Sequence, residues 1–156
     1  MIYIIYIQVH SKALIVSLTT KMSGETSPLK VAICRNYLSE EKWGQMMVDS
    51  WYDIIHHCVP DAIIDLYHPI DGSPFPSPPS YNLIVLTGGV ANLSKERVDL
   101  WVERTLEFIQ ATARDYPQVK LLGICWGHQA VARALGGVVG IVKGERVVCI
   151  ICVSCL

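Results

Sequence analysis

The stretch that most restricts this chain runs from Leu121 to Gly137: Leu-Leu-Gly-Ile-Cys-Trp-Gly-His-Gln, then Ala130 to Leu135, then a glycine pair. It reads as an apolar strand entering a Gly-x-Cys-x-Gly turn, followed by a short helix closed by two glycines. A cysteine at such a turn is the thiol version of a nucleophile elbow. The reactive side chain sits on cramped backbone, and its neighbours need almost no side-chain volume. A thiol reacts as its thiolate, which the positive potential at a helix N-terminus favours. Cys125 stands where the helix begins, and the backbone N–H of Trp126 is placed to face an oxyanion. Gly123 and Gly127 let strand and helix pack closely. Taken alone, the pattern fits a small buried core cysteine equally well. The residues around it decide.

Upstream, Asn82 to Thr87 is a second apolar strand, bounded by Gly88-Gly89. Alone this fits an ordinary strand-ending turn. With Cys125 on the next strand, the close backbone approach that glycine permits makes Gly89 and Trp126 the expected oxyanion donors, with Gly88 expected at the substrate. Leu29 to Cys34 and Ala62 to Tyr67 read as two further strands. Between these two lies a helix capped by Ser39, with Glu40 and Glu41 in its first turn. Trp43, Met47, Trp51, Ile54, Ile55 and Cys58 form its expected apolar stripe. His56-His57 at its end complements the helix dipole better than it forms a metal pair, because adjacent helical residues face different directions.

Asp71 to Ser80 is too proline-rich for regular structure and reads as a surface connection. A long helix is expected from Ser94 through Val98, Trp101, Val102, Leu106 and Ile109 to about Ala113. Val119 to Ile124 then leads into Cys125. Strand and helix alternate, which predicts an α/β, doubly wound three-layer sandwich with a mostly parallel sheet. In such sheets the reactive site lies at the carboxyl ends of the strands. Gly88-Gly89 and Cys125 both fall there.

Composition agrees. Hydrophobic residues make up 51% and charged residues 17%, the balance of strands buried on both faces. Net charge is −1, with 13 basic and 14 acidic residues and no basic block, so nucleic-acid binding has no electrostatic support. Six cysteines form no secreted-type framework, and a reducing, cytoplasmic compartment is the simpler reading. Cys149, Cys152 and Cys155 are spaced like metal ligands. They lack a fourth ligand and lie in an apolar tail, so no metal site is expected.

The residues from Gly123 to Gln129, with Ala132, Ala134, Leu135, Gly136 and Gly137, resemble the signature of class I glutamine amidotransferases. The likeness runs from about Leu29 to about Val142 and leans towards GMP-synthase-like members. It implies a glutaminase: Cys125 attacks the side-chain amide of glutamine and releases ammonia through a γ-glutamyl thioester, without a cofactor. Gln129 matches the glutamine that helps hold the substrate. A synthetase or other ammonia acceptor is the implied partner, its identity open. His128 gains no role from the resemblance and reads as a helix-surface residue.

The resemblance also implies a histidine, with a glutamate two positions later, on a later strand. No histidine follows His128 in this chain. His10, His56, His57 and His68 all precede the thiol and fall outside the family pattern. The expectation is a domain incomplete at its C-terminus and inactive alone, since each general acid–base role contributes about 10²–10⁴-fold. A non-catalytic binding or regulatory module with the same fold is the first alternative. A related elbow-cysteine peptidase is the second, which the Gly-His-Gln following Cys-Trp disfavours.

Three parts are expected: residues 1–28 as a leader, 29–142 as the amidotransferase-like domain, and 143–156 as a divergent cysteine-rich tail. The apolar patches Met1 to Ile7 and Ala13 to Leu18 are split by polar residues. Neither reaches the roughly 20 residues of a membrane span. No membrane partner is expected, and Met22 is a candidate natural start.

Overall fold

The computed structural model describes residues 27–38 and 42–140. Four strands form one parallel sheet in the order β2-β1-β3-β4: β1 Lys30–Asn36, β2 Ile63–Tyr67, β3 Leu83–Gly89 and β4 Lys120–Gly123. Three helices cover it: α1 Lys42–Cys58, α2 Leu100–Asp115 and α3 Trp126–Ala134. Alternate residues of β1 point to opposite faces, as the pleat requires. Val31 and Ile33 meet Ile55 of α1 on one side. Ala32 and Cys34 share the other core with Val102 and Ile109 of α2 and Trp126 and Ala130 of α3. Three layers result, and the strands are apolar because both faces are covered. β1 connects to β2 on one side and pairs with β3 on the other, so the strand order reverses between β1 and β3. Ligands bind such sheets near that reversal, beyond the carboxyl ends.

Within α1 the buried face differs from the expected stripe. Trp43 is 42% and Ile54 50% exposed, and Cys58 is also exposed. Gly44, Val48 and Ile55 are buried, with Trp51 and Tyr52 against the same core. The helix is turned by one residue, about 100°. Tyr37 sets this: its hydroxyl donates to the Gly44 carbonyl at 2.9 Å, and its ring fills the space beside Gly44. The expected cap at Ser39 to Glu41 lies outside the described residues.

The helix expected from Ser94 begins instead at Leu100, with Asp99 as N-cap residue. The Asn92 side-chain oxygen accepts from the Ser94 N–H (2.9 Å) and hydroxyl (2.7 Å), closing a local turn. The carbonyls of Leu93, Lys95 and Glu96 accept from the Arg133 guanidinium. Carbonyls held sideways in this way do not continue a helix.

The proline-rich connection contains only two single 3-10 turns, Pro69–Asp71 and Pro78–Ser80. Tyr81 ties it to the sheet edge, bonding the Tyr67 hydroxyl at 2.6 Å and donating to Asp65 at 2.8 Å. Phe75 stacks on Phe108 at 4.5 Å. At the end of α3, Gly136 takes φ 90°. The N–H of Gly137 bonds the Ala132 carbonyl at 2.7 Å, and that of Gly136 bonds Arg133 at 3.1 Å. These two bonds satisfy the last carbonyls of the helix in a Schellman cap.

Candidate functional site

Cys125 has φ 53° and ψ −107°, the one positive φ at a non-glycine among the described residues. Backbone of this kind costs on the order of 1–3 kcal/mol and persists where the surroundings over-determine it. The surroundings here are explicit. The Ile124 N–H extends the sheet by bonding the Leu86 carbonyl at 3.0 Å, and the Gly127 N–H turns back to Ile124 at 2.9 Å. The Gln129 N–H then bonds the Cys125 carbonyl at 3.2 Å. A Cβ on Gly123 would lie 2.5 Å from the Gly127 carbonyl, and one on Gly127 would strike the Leu86 carbonyl. Strand and helix therefore close on each other only with glycine at both positions. The thiol is left exposed at the carboxyl end of the sheet.

The other described cysteines differ in kind. Cys34 is fully buried in β1, and burial pushes its thiol up to about 12. Cys58 is exposed but ends α1, where the helix dipole is negative.

The end of β3 meets this turn. A Cβ on Gly88 would sit 3.9 Å from the Cys125 Cβ, in van der Waals contact. One on Gly89 would lie 3.2 Å from the Trp126 ring and 2.6 Å from the Asn36 carbonyl. Gly88 is thus beside the Cys125 Cβ, and Gly89 beside Trp126. The Trp126 ring is 2% exposed and stacks on Trp101 of α2 at 5.1 Å, anchoring the first residue of α3 in the core. Its backbone N–H belongs to the first turn, where amides have no partner inside the helix. Gln129 follows one turn after Cys125 with its side chain exposed.

His128 is not a surface residue. It is 6% exposed and its Nδ1 has no partner; burial holds its proton affinity below the ordinary imidazole value. The tight Gly123–Gly127 contact presses this part of α3 onto the sheet, and a Cβ on Gly123 would come within 2.6 Å of the His128 nitrogen.

Two residues escaped the sequence reading. Asn36, at the end of β1, donates its N–H to the Thr87 hydroxyl at 3.0 Å and its side-chain amide to the Thr87 carbonyl at 3.2 Å. Thr87 donates in turn to the Gly88 carbonyl at 3.1 Å. A fully buried polar pair thus fixes the approach to Gly88-Gly89. Its signal was a polar residue closing an apolar strand. The second is Arg133, the one arginine or lysine of α3.

Among the described residues, no group of three or more His, Cys, Asp or Glu could hold a metal, and no helix is long and apolar enough to cross a membrane. The Cys149, Cys152 and Cys155 series lies outside the described residues.

The profile of the glutamine amidotransferase class-I family matches residues 66–149, more than half of the chain. The glutamine amidotransferase-like protein chry6 of Gibberella zeae is 41% identical over 111 residues, covering 71% of this chain and 46% of that protein. The glutamine amidotransferase-like protein chyE of Penicillium rubens is 38% identical over 112 residues, with the same 71% and 46%. The chain thus spans about half the length of these curated relatives. A crystal structure of a glutamine amidotransferase from Thermotoga maritima shares the fold. It matches with TM-score 0.55 and 24% identity, over 71% of this chain and 44% of that one. On this profile and these relatives, the chain belongs to the class-I glutamine amidotransferase family.

Proposed function

We propose that Cys125 is the nucleophile of a glutamine-hydrolysing site. Its sulfur attacks the side-chain amide carbon of glutamine, and the carbonyl oxygen takes up the negative charge. The N–H groups of Gly89 and Trp126 face that oxygen, while Gly88 and Gln129 line the substrate. Collapse breaks the C–N bond, and the thiol proton leaves on ammonia. A γ-glutamyl thioester remains, which water cleaves to glutamate and the free thiol. The observation that carries this reading is an exposed cysteine on strained backbone, its Cβ facing Gly88 at the carboxyl edge of the sheet.

The proton acceptor is the part these residues do not supply. No histidine follows His128, and His128 is buried with burial opposing its protonation. We therefore propose that the 156 residues by themselves release ammonia no faster than the Cys125→Ala variant. Measuring ammonia from glutamine with both proteins tests this; a rate that the substitution abolishes would refute the inactivity. The burial of His128, which opposes its protonation, also suits a second reading, a module that binds glutamine through the same turn without hydrolysing it. Isothermal titration with glutamine separates the two: binding without ammonia supports the module. Released ammonia would pass to a synthetase-type acceptor, in the reducing cytoplasm where an unprotected thiol persists.

A further inference from the structure

The two proposed oxyanion donors come from segments far apart in sequence, and something must hold them in register. Pairing of β3 with β4 ends at Leu86 and Gly123. Beyond that pair, Gly88 and Gly89 finish β3, with Gly89 paired to Asn36 of β1, but no ladder joins them to the Cys125-Trp126 turn. On the upstream side, Asn36 and Thr87 fix the approach to Gly88. On the downstream side, the chain leaves Gly89 into an irregular segment that precedes α2.

Arg133 closes that side. It lies in the last turn of α3, the helix that starts immediately after Cys125. Its Nη1 donates to the carbonyls of Leu93 and Lys95, both at 2.7 Å, and its Nη2 donates to Glu96 at 3.0 Å. One planar guanidinium thus gathers three carbonyls of the segment after Gly89 onto the helix after Cys125. Leu93, 2% exposed, is seated in the same core as Trp126. A lysine has no rigid fork with which to span all three oxygens.

We infer that Arg133 is a positioning residue: it bolts segment 93–96 to α3 and so holds Gly88-Gly89 at the distance from Cys125 that an oxyanion needs. This rests on the reading of Cys125 as the glutamine nucleophile. A hydrogen bond is lost within a few tenths of an ångström of its optimum, and a displacement of about 1 Å at a reacting centre costs about 10²-fold. Arg133 itself touches no reacting atom.

Two thiol reagents on the purified full chain test it, with adducts mapped by mass spectrometry. A γ-aldehyde analogue of glutamine is captured when Sγ adds to the aldehyde carbon and the thiol proton ends on its oxygen; that oxygen needs the two donors. Iodoacetamide is attacked at its methylene carbon with loss of iodide and builds no oxyanion. Arg133→Ala is expected to lose at least about tenfold in aldehyde affinity at Cys125 while its alkylation rate stays within about twofold of the unaltered chain. Arg133→Lys falls between, and it is read by the same ratio if the alanine variant does not fold. Unchanged aldehyde capture, or an equal loss with both reagents, overturns the role of Arg133 and leaves the reading of Cys125 intact. An unaltered chain that alkylates at Cys125 but captures no aldehyde overturns that reading, and this inference with it.

Discussion

Cys125 carries a backbone conformation that its side chain disfavours, and the surrounding contacts hold it there. Removing the thiol without removing the Cβ leaves the strain in place. Cys125→Gly is therefore expected to be more stable than Cys125→Ala by about 1 kcal/mol in urea titration, against the usual penalty for glycine. Equal or reversed stabilities would show that the turn is relaxed. Burial holds the imidazoles of His128 and His68 below their ordinary 6.5, His68 by burial first and the neighbouring Arg35 charge second. The unfolded chain then binds more protons as pH falls past 6.5, so stability is complete above that pH and declines below it. Melting temperatures between pH 7.5 and 5.5 should show this decline, and His128→Gln should flatten it. The thiol and its glycines were legible because their constraint is local: a strand, a turn and a helix in nine residues admit few side chains. His128 was not, because its burial depends on how closely α3 meets β3, which no local pattern encodes.

At the scale of elements, the strands could be placed from sequence because burial in the sheet leaves short, mainly apolar runs in 29–34, 62–67, 82–87 and 119–124. Helix α1 was placed but misoriented. Its sequence offers two apolar stripes one residue apart, and the choice between them was made by Tyr37, which lies outside the helix. Neighbouring isoleucines give the check. Ile55, 8% exposed, should cost about 2–5 kcal/mol when cut to alanine, whereas Ile54, 50% exposed, should cost within about 0.5 kcal/mol. Equal costs would return the helix to the other face. The start of α2 was misread for a related reason. Ser94 is a good helix-capping residue, but an asparagine two positions earlier and an arginine on another helix claim the groups that would begin the helix there.

For the whole molecule, the layered sheet places every proposed site residue at one edge. β3 delivers Gly88 and Gly89, β4 and α3 deliver Cys125, Trp126 and Gln129, and β1 supports them through Asn36. The family and the fold were readable because the elbow and the glycine pair follow strands in a doubly wound order. The proton acceptor was not readable, since nothing after His128 in this chain offers an imidazole. The central claim is that an accessible thiol at this edge faces a glutamine-binding space, and protection from alkylation tests it without requiring turnover. The native chain is treated with iodoacetamide, with and without glutamine, and each cysteine is followed by peptide mapping. Cys125 should react readily and be shielded by glutamine, exposed Cys58 should react regardless, and Cys34 should stay unmodified until the chain unfolds. Alkylation of Cys125 at the same rate with glutamine as without it, or a Cys125 as unreactive as Cys34, would contradict the account.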